Sequence, residues 1–385
     1  MDCEVLIIGG GPAGLSTALH LSKIVPHLAS RILLLEKERY PRPKLCAGGL
    51  TVDAETLLER LGLDVLEVPH MDANTVRFDF EGKGFRITNH KHHTLRVIRR
   101  DEFDAWLAKK AESSGVEIRQ GVTVKDLRPD SDGVTVVTDK GEFRARIVIG
   151  ADGSNGVTRR HVLPGEPLYT ARVLEVITPV NAPAQPLSAR GDEQAAFDFS
   201  PIPHSISGYT WDFPTQIKGQ PMRCRGIYDT NLFSGQKRPA LKQLLREEMS
   251  RQGFTLNDSE LGGFPIRCFD PSSRVSVPRV LLAGDAAGTD PLFGEGISFA
   301  LGYGIWAARE AVRAFSSGDY SFRGSKFRLA RSALGQALFA RWFIANIVYV
   351  FKWRWFQILL WRALKPVIIL VAWLFILNWA RRTRV

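Results

Sequence analysis

The sequence predicts an α/β fold (α+β overall). It comprises a Rossmann-like domain with a parallel sheet, discontinuous in the chain, a β-rich second domain and a C-terminal hydrophobic helical tail. Three observations lead to this prediction. A short apolar run near the start leads into a glycine-rich turn and then into a helix pattern. Two later apolar runs each lead into a turn that holds an aspartate. Towards its end the chain becomes apolar, basic and rich in tryptophan.

The first turn has the pattern that a dinucleotide pyrophosphate needs. An apolar, β-branched run precedes Gly9-x-Gly11-x-x-Gly14, and an Ala- and Leu-rich helix pattern starts around Pro12 and Ala13. The first glycine makes the turn, the second lets the backbone approach phosphate, and the third allows the helix to pack closely on the strand. The free N–H groups and the dipole of the helix attract the anion.

A second apolar run ends in an acid at the spacing of such domains. The run from Arg31 ends at Glu36, about 22 residues after Gly14. A carboxylate at this position binds the hydroxyls of an adenosine ribose. The alternative is a glycine-rich turn in another kind of α/β unit, with Glu36 as an ordinary surface acid.

Two further strand-to-turn junctions lie far along the chain. One ends in Ala151-Asp152, where a simple turn cap is the alternative role for the acid, and the other ends in Gly284-Asp285. Because parallel strands deliver their carboxyl ends to one edge of the sheet, all three junctions are expected to meet there. This predicts a dinucleotide domain at 1–75, 97–165 and 275–320, a β-rich substrate domain at 76–96 and 166–274, and a tail at 321–385.

The charge of the chain is concentrated in the tail. The formal net charge is +11, and from Ser321 onward there are twelve Lys or Arg and no Asp or Glu. The preceding part is therefore close to neutral, which argues against a nucleic-acid surface and favours an anionic membrane as partner of the tail.

Cysteine and histidine give no metal pattern. The four cysteines are scattered without a CxxC pair, and the eight histidines lack metal-ligand spacing, so no metal site is predicted. The chain opens almost directly on the first strand, without a signal-peptide pattern, so we expect the first domain in the cytosol with its cysteines reduced.

Taken together, the three junctions resemble the FAD-binding fold of the para-hydroxybenzoate hydroxylase superfamily, over roughly residues 1–315. The resemblance implies tightly bound FAD. It places Glu36 at the adenosine ribose, Arg100 at the phosphates and Asp285 at the ribityl chain, with backbone N–H groups of Gly294 to Ile297 at the flavin pyrimidine. The cofactor-binding residues that it implies are Gly9, Gly11, Pro12, Ala13, Gly14, Glu36, Lys37, Cys46, Ala47, Gly48, Arg100, Val124, Asp152, Gly284, Asp285, Pro291, Gly294, Gly296 and Ile297.

Two further motifs narrow the resemblance. Pro41-x-x-Lys44-x-Cys46-x-Gly48-Gly49 is similar to the PxxKxCGG loop of geranylgeranyl reductases, with Ala47 as a variant. The segment from Tyr209 to Pro214 is similar to their YxWxFP signature, whereas halogenases carry a related Trp-x-Trp-x-Ile-Pro. Residues 222–226 depart from the family, since one glycine and two arginines replace its GxG.

The resemblance implies a substrate pocket lined by Tyr209, Trp211, Phe213 and Gly49. The three aromatic residues alternate along a strand and so share one face; the alternative is that they are ordinary core residues. Cys46 is the candidate catalytic residue, as proton donor or redox-active thiol beside the flavin, with Arg42 and Lys44 as cations that favour its ionisation. The alternative for Cys46 is a small buried hydrophobe.

The resulting functional prediction is an FAD-dependent reductase. It would saturate C=C bonds in the geranylgeranyl-type chain of a lipid, quinone or chlorophyll precursor, by hydride transfer from reduced FAD. One alternative is an FAD-dependent monooxygenase or halogenase acting on a bulky apolar substrate, and a second is a non-catalytic prenyl-binding protein. The electron donor is left open between NADPH, a ferredoxin and another carrier protein.

The tail, residues 339–385, predicts attachment to the cytoplasmic face of a membrane. Six of the nine Trp lie in it, as expected for rings at a membrane–water interface. The uninterrupted apolar stretch Pro366–Ala380 is about 15 residues, or ~22 Å of helix, which is shorter than a ~30 Å hydrocarbon core. The tail can span only if the side chain of Lys365 extends to the interface or the helix continues back past Arg362. A re-entrant or in-plane pair of helices fits the repeated basic breaks about as well.

Overall fold

The computed structural model describes residues 1–166, 170–180, 193–232, 240–257 and 261–383. Predictions for residues 384–385 of the tail, and for the intervening parts of the β-rich domain, concern positions outside these described residues.

The strands are, in chain order, β1 (Cys3–Ile8), β2 (Ile32–Glu36), β3 (Gly49–Leu50), β4 (His70–Phe80), β5 (Lys83–Thr88), β6 (Leu95–Ile98), β7 (Glu117–Gln120), β8 (Val124–Pro129), β9 (Val134–Thr138), β10 (Gly141–Gly150), β11 (Thr170–Pro179), β12 (Glu193–Asp198), β13 (Gly208–Ile217), β14 (Gln220–Asp229), β15 (Gly262–Arg267), β16 (Ser276–Val277) and β17 (Val280–Leu282). The α-helices are α1 (Pro12–Ile24), α2 (Val52–Leu61), α3 (Arg100–Ser113), α4 (Val157–Val162), α5 (Leu241–Arg251), α6 (Ile297–Ser317), α7 (Ser325–Arg331), α8 (Ala333–Val350), α9 (Arg354–Ile358) and α10 (Lys365–Val371). Two π-helical segments, Leu359–Ala363 and Ala372–Ile376, continue α9 and α10.

The first sheet is built on five parallel strands in the order β17-β10-β1-β2-β7. β1 and β2 are buried along their whole length, as expected for apolar runs in the middle of a parallel sheet. β16 pairs antiparallel with β17, β9 pairs antiparallel with the first half of β10, and β8 pairs antiparallel with β9. The predicted fold class is confirmed.

The second sheet is largely antiparallel, in the order β15-β11-β14-β13-β12-β4-β6-β3, with β5 on β4. It begins earlier in the chain than the predicted boundary at residue 76. β3 pairs with β6, and β4 starts at His70, so parts of 49–75 assigned to the dinucleotide domain lie in the second sheet. The reason is that the loop after β2 crosses from one sheet to the other.

The tail packs against the body of the protein and returns to it. α8 is buried along one face, and the segments 354–363 and 365–382 form a pair bent by 76°. Beyond the bend, Trp379 is fully buried against Phe299, with ring centroids 5.1 Å apart. The end of the tail is therefore part of the core around α6.

Candidate functional site

A cavity of about 1100 Å³ lies between the two sheets. It runs from the turn between β1 and α1, past the loop 41–49, to the aromatic side chains of β13. The predicted site residues that line it are Gly9, Gly11, Pro12, Ala13, Glu36, Lys37, Cys46, Ala47, Gly48, Gly49, Arg100, Val124, Asp152, Tyr209, Trp211, Phe213, Asp285, Gly294, Gly296 and Ile297.

Three of the predicted cofactor-binding residues do not line this cavity: Gly14, Gly284 and Pro291. A Cβ on Gly14 would lie 2.0 Å from the carbonyl oxygen of Gly9, so this glycine permits α1 to pack on the turn rather than touching a ligand. Gly284 forms the turn that presents Asp285, and Pro291 lies in the loop before α6. Their contribution is to shape the wall.

The turn between β1 and α1 forms a phosphate cradle. Gly9 has φ +103°, and a Cβ there would lie 2.3 Å from the carbonyl oxygen of Ala151, at the end of the adjacent strand. Nη2 atoms of Arg42 and Arg100 lie 3.9 and 4.0 Å from the Cβ position of Gly11. Two guanidinium groups beside free helix N–H groups suit a pyrophosphate.

Asp104 holds both arginines in place. It is fully buried and accepts two hydrogen bonds from Arg100, at 2.8 and 2.9 Å. The Nη2 atom of Arg42 lies 3.1 Å from the same carboxylate. Burial lowers the pKa of Arg100, but Asp104 more than offsets this, so its pKa is raised and the charge is kept. The sequence suggested that Arg42 lies beside the thiol, whereas its guanidinium lies between Glu36 and Asp104. No motif marks Asp104; its i,i+4 spacing from Arg100 is the only signal.

Two acids lie beside the cradle. Glu36 accepts hydrogen bonds from the N–H groups of Gly10, at 2.7 Å, and Glu38, at 3.0 Å, which fixes its carboxylate at the end of β2. Asp152 accepts from the N–H of Thr158 at 2.9 Å and thereby caps α4, as the alternative role required. Its Oδ1 is nevertheless buried without a hydrogen-bond partner among the described residues. An orphaned acceptor in the cavity wall fits a ligand that brings hydroxyl donors.

Arg159, on α4, forms an ion pair with Glu166 at 3.8 Å. It is buried and is not part of the cavity wall.

Asp285 projects into the middle of the cavity wall near two cations. Burial raises the pKa of its carboxyl, and the charges of Lys44 and Arg100 oppose that shift. Lys44 lies with its ammonium group 3.0 Å from the ring centroid of Phe264, and burial lowers its pKa to about 8. At this point the wall offers an acceptor for ligand hydroxyls.

The start of α6 borders the cavity next to Asp285. Gly294, Gly296 and Ile297 line it, and α6 begins at Ile297 with Gly296 as its N-cap. The first N–H groups of a helix have no partner within the helix, and they favour negative charge in front of them. This is the arrangement that a reduced flavin needs beside its pyrimidine edge.

Cys46 lies in the cavity wall with a buried glutamate behind it. Its N–H donates to Glu175 Oε1 at 3.1 Å, and its Sγ accepts from the N–H of Gly48 at 3.4 Å. Burial raises the pKa of the thiol, and the nearby charge of Arg100 opposes this only in part. The prediction that Arg42 and Lys44 favour ionisation is therefore wrong, and the neutral thiol is the form present at pH 7.

Glu175 is a site residue that the sequence did not reveal. It lies on β11, lines the cavity, and is 6% exposed. Burial raises the pKa of its carboxyl to about 7, while the N–H of Cys46 lowers it. A single glutamate in a strand belongs to no recognisable motif. Its place in the site becomes apparent only because the fold brings β11 into contact with the loop 41–49.

The far half of the cavity is aromatic. Tyr209, Trp211 and Phe213 all lie on its wall, so they are lining residues as well as core residues. Phe197, from the adjacent strand β12, lies 5.1 Å from the rings of both Tyr209 and Phe213. Phe293 joins the group from the loop before α6, where its carbonyl accepts from the Tyr209 hydroxyl.

The segment that departs from the family lies away from this wall. Gly226 pairs with Trp211, and a Cβ there would lie 2.3 Å from the indole, so the glycine lets the ring lie across β14. Arg223 and Arg225 pair with Asp212, at 2.7 and 3.1 Å, and neither lines the cavity. The two arginines thus leave the aromatic pocket unchanged.

Among the residues that the structure describes, no group of three His, Cys, Asp or Glu side chains is arranged to hold a metal ion.

Comparison with known proteins agrees with this geometry. A sequence family described as "FAD binding domain" matches residues 2–301. Digeranylgeranylglycerophospholipid reductase 1 of Methanopyrus kandleri is 29% identical over 352 residues, which cover 83% of each chain.

Solved structures share the fold. A geranylgeranyl bacteriochlorophyll reductase-like protein from Thermoplasma acidophilum superposes with a TM-score of 0.71 at 22% identity, covering 89% of this chain and 86% of that one. A flavin-dependent brominase superposes with a TM-score of 0.68 at 19% identity, covering 96% and 93%.

Proposed function

The chain belongs to the FAD binding domain family, and we propose that it saturates C=C bonds in the prenyl chain of a lipid-like substrate. Its cofactor is FAD and it is an FAD-dependent oxidoreductase, as the sequence predicted. The resemblance to geranylgeranyl reductases is likewise confirmed by relatives named digeranylgeranylglycerophospholipid reductase. That the chain reduces a C=C bond, and that this bond lies in a prenyl chain, is the proposed part.

The observation that carries the proposal is the continuity of one cavity. The phosphate cradle and the aromatic wall belong to the same cavity of about 1100 Å³. A prenyl chain is apolar and long, and it needs a desolvated channel rather than a polar pocket. The wall beyond Cys46 offers this through Tyr209, Trp211, Phe213 and Phe197.

The residues of the chain suit the chemistry of an unactivated alkene. FAD, when bound and reduced, would supply a hydride to one carbon of the double bond, and the residues of this chain would deliver a proton to the other. Positive charge developing on a tertiary carbon is stabilised by aromatic faces in a water-free pocket. The Cys46 thiol is neutral and lies at the cavity wall. Glu175 accepts a hydrogen bond from the N–H of Cys46, and burial raises the pKa of its carboxyl to about 7. We assign proton delivery to this pair.

Cys46→Ala is expected to keep FAD but to reduce the alkene more slowly, by roughly tenfold or more, because a proton donor at the cavity wall is lost. Single-turnover oxidation of the reduced enzyme by a prenyl lipid measures this rate. Cys224→Ala is the matched control, since that thiol is buried and does not line the cavity. An unchanged rate in Cys46→Ala would assign the residue to packing.

Glu175→Gln is expected to flatten the pH dependence of alkene reduction. With a pKa near 7, Glu175 carries its proton below pH 7 and loses it above, so the wild-type rate falls as pH rises through 7. The amide cannot donate this proton, and the rate at pH 6 falls by about 10²-fold, the usual size of a general-acid contribution. A wild-type profile in the variant would remove Glu175 from proton delivery.

The test of the function is anaerobic. The detergent-purified protein is reduced fully with dithionite, a geranylgeranyl lipid is added, and the return of oxidised flavin absorbance is followed together with loss of the alkene. Stoichiometric reoxidation with alkene loss supports the reductase. Reoxidation only after oxygen is admitted, across several prenyl classes, favours the monooxygenase or halogenase alternative. Tight prenyl binding by a protein that purifies without flavin favours the non-catalytic alternative.

A further inference from the structure

The tail presents a large apolar surface to solvent. Of the 22 large apolar side chains that are exposed among the described residues, fifteen lie between 339 and 377. We call these fifteen the apolar helical face. Six of its residues are more than half exposed: Phe343, Trp353, Trp355, Val367, Leu370 and Trp373. Exposed apolar side chains in this number on one segment mark an interaction surface.

The segment that carries this face is fixed to the body at both ends. Before it, the buried Arg341 pairs with Asp290 at 2.7 Å. After it, Trp379 is fully buried, and the N–H of Ala380 donates to Asp53 Oδ1 at 2.8 Å. A single crossing of a membrane would place these two ends on opposite sides, so the anchors exclude it.

The middle of the segment also rests on the body. Trp361 stacks on Phe199 with ring centroids 3.9 Å apart, and Arg354 pairs with Glu81 at 2.6 Å. α8 is long and apolar enough to cross a membrane, but 44% of it is buried in the protein. The face therefore lies along the outside of the protein rather than projecting from it.

Charge identifies the partner. The chain from residue 321 onward has twelve Lys or Arg and no acid, and Lys365, Arg381 and Arg382 are exposed beside the apolar helical face. Exposed tryptophans with a basic rim suit the boundary between acyl chains and anionic headgroups. The cavity reaches this side of the molecule, since Ile376, Leu377 and Asn378 line it.

We propose that the apolar helical face docks in the plane of one leaflet of an anionic lipid bilayer, without spanning it. The protein then sits on the membrane as a monotopic protein, with the cavity opening towards the lipid. Under the function proposed above, a prenyl lipid enters without crossing water; the docking itself does not depend on that function.

Flotation with vesicles tests the partner. The full-length protein, freed of detergent in the presence of phosphatidylcholine–phosphatidylglycerol vesicles, is expected to float with them, and less with phosphatidylcholine alone. Replacing Trp353 and Trp373 together by Ser should lower partitioning by about tenfold or more, because two interfacial anchors are lost. Leu66→Ser, at a residue 59% exposed elsewhere, should not change it. Failure to float, with a stable oligomer instead, would show that a second copy covers the face and overturn the proposal.

Labelling from one side tests the orientation. The test uses two variants, Lys365→Cys at the bend of the tail and Lys140→Cys on the exposed surface of the body. Each is bound to sealed vesicles and then treated with a membrane-impermeant maleimide. In-plane docking predicts that both react from the same side, with flavin content unchanged. Reaction of Lys365→Cys only from the opposite side, or from neither, overturns it.

Discussion

Asp285→Ala is expected to purify with little or no FAD. The carboxylate lies in the cavity wall, and no hydrogen bond to it is formed by the residues that the structure describes. Burial raises the pKa of its carboxyl, and the charges of Lys44 and Arg100 oppose this shift without cancelling it. Its loss would leave the buried ligand hydroxyls without an acceptor, which costs about 1–3 kcal/mol and weakens FAD binding by roughly fivefold to over a hundredfold.

The flavin content of the purified variant, read from its visible absorbance, measures this effect. Asp126→Ala is the matched control, because Asp126 is an exposed acid on β8 that does not line the cavity and, within the described part of the chain, forms an ion pair only with Arg128, at 3.4 Å. Asp285→Asn keeps an acceptor at the same place and should retain more FAD than the alanine variant. Full occupancy in Asp285→Ala would contradict the role assigned to Asp285.

The cofactor half of the site could be predicted because its chemistry is local in sequence. Gly9, Gly11 and Glu36 follow strands directly, so the strand-to-turn pattern alone brings them to one sheet edge. The aromatic wall could be predicted for a similar reason, because alternation along β13 puts Tyr209 and Phe213 on the same face. In both places the period of the secondary structure determines where the side chains point.

The two residues proposed for proton delivery, Cys46 and Glu175, could be predicted only in part. Cys46 lies in a recognisable loop, whereas Glu175 is 129 positions away and meets it only through the packing of two sheets. The sequence also gives the wrong charge state for the Cys46 thiol, for the same reason. The residues next to it in sequence suggest that cations favour its ionisation, but burial dominates its pKa. Burial is a property of tertiary packing, and no local pattern reports it.

The tail shows the same limit. Its composition predicted a membrane surface and short helices, but it did not show that Trp379 returns to the core or that Arg341 is buried. From sequence alone, an arginine in an apolar helix predicts either a break in the helix or a side chain that extends to the membrane–water interface. Its partners, Asp290 and Glu295, lie 51 and 46 positions earlier in the chain.

Arg341→Met is expected to destabilise the protein strongly. Arg341 is 2% exposed, and its Nη1 lies 2.7 Å from Asp290 and 2.6 Å from Glu295. Burial alone would lower the pKa of Arg341, but these two acids raise it, so the guanidinium is charged. Removing one partner of a buried ion pair typically costs about 3–5 kcal/mol of unfolding free energy, because the remaining charges are left uncompensated. Urea denaturation in detergent measures the loss.

The same substitution has a predictable pH dependence. Burial already raises the pKa of Asp290, and Arg341 opposes this. In Arg341→Met the pKa of Asp290 in the folded state rises further above its value in the unfolded state. The folded state then disfavours the ionised carboxylate, so the loss of unfolding free energy grows as pH rises. The deficit in unfolding free energy should thus be smaller near pH 5 than near pH 8.

Arg354→Met, in the same tail, provides the control for this prediction. Arg354 pairs with Glu81 on the surface, with 65% of its side chain exposed, and its loss should cost only about 0–1 kcal/mol. Glu295→Gln, combined with Arg341→Met, removes one of the two uncompensated acids and should restore part of the stability. If Arg341→Met were no less stable than Arg354→Met, the tail would not be held by this triad. Because Asp290 and Glu295 shape the loop that leads into α6, the variant should also bind FAD more weakly. That second effect connects the anchor of the segment that carries the apolar helical face to the loop at the start of α6.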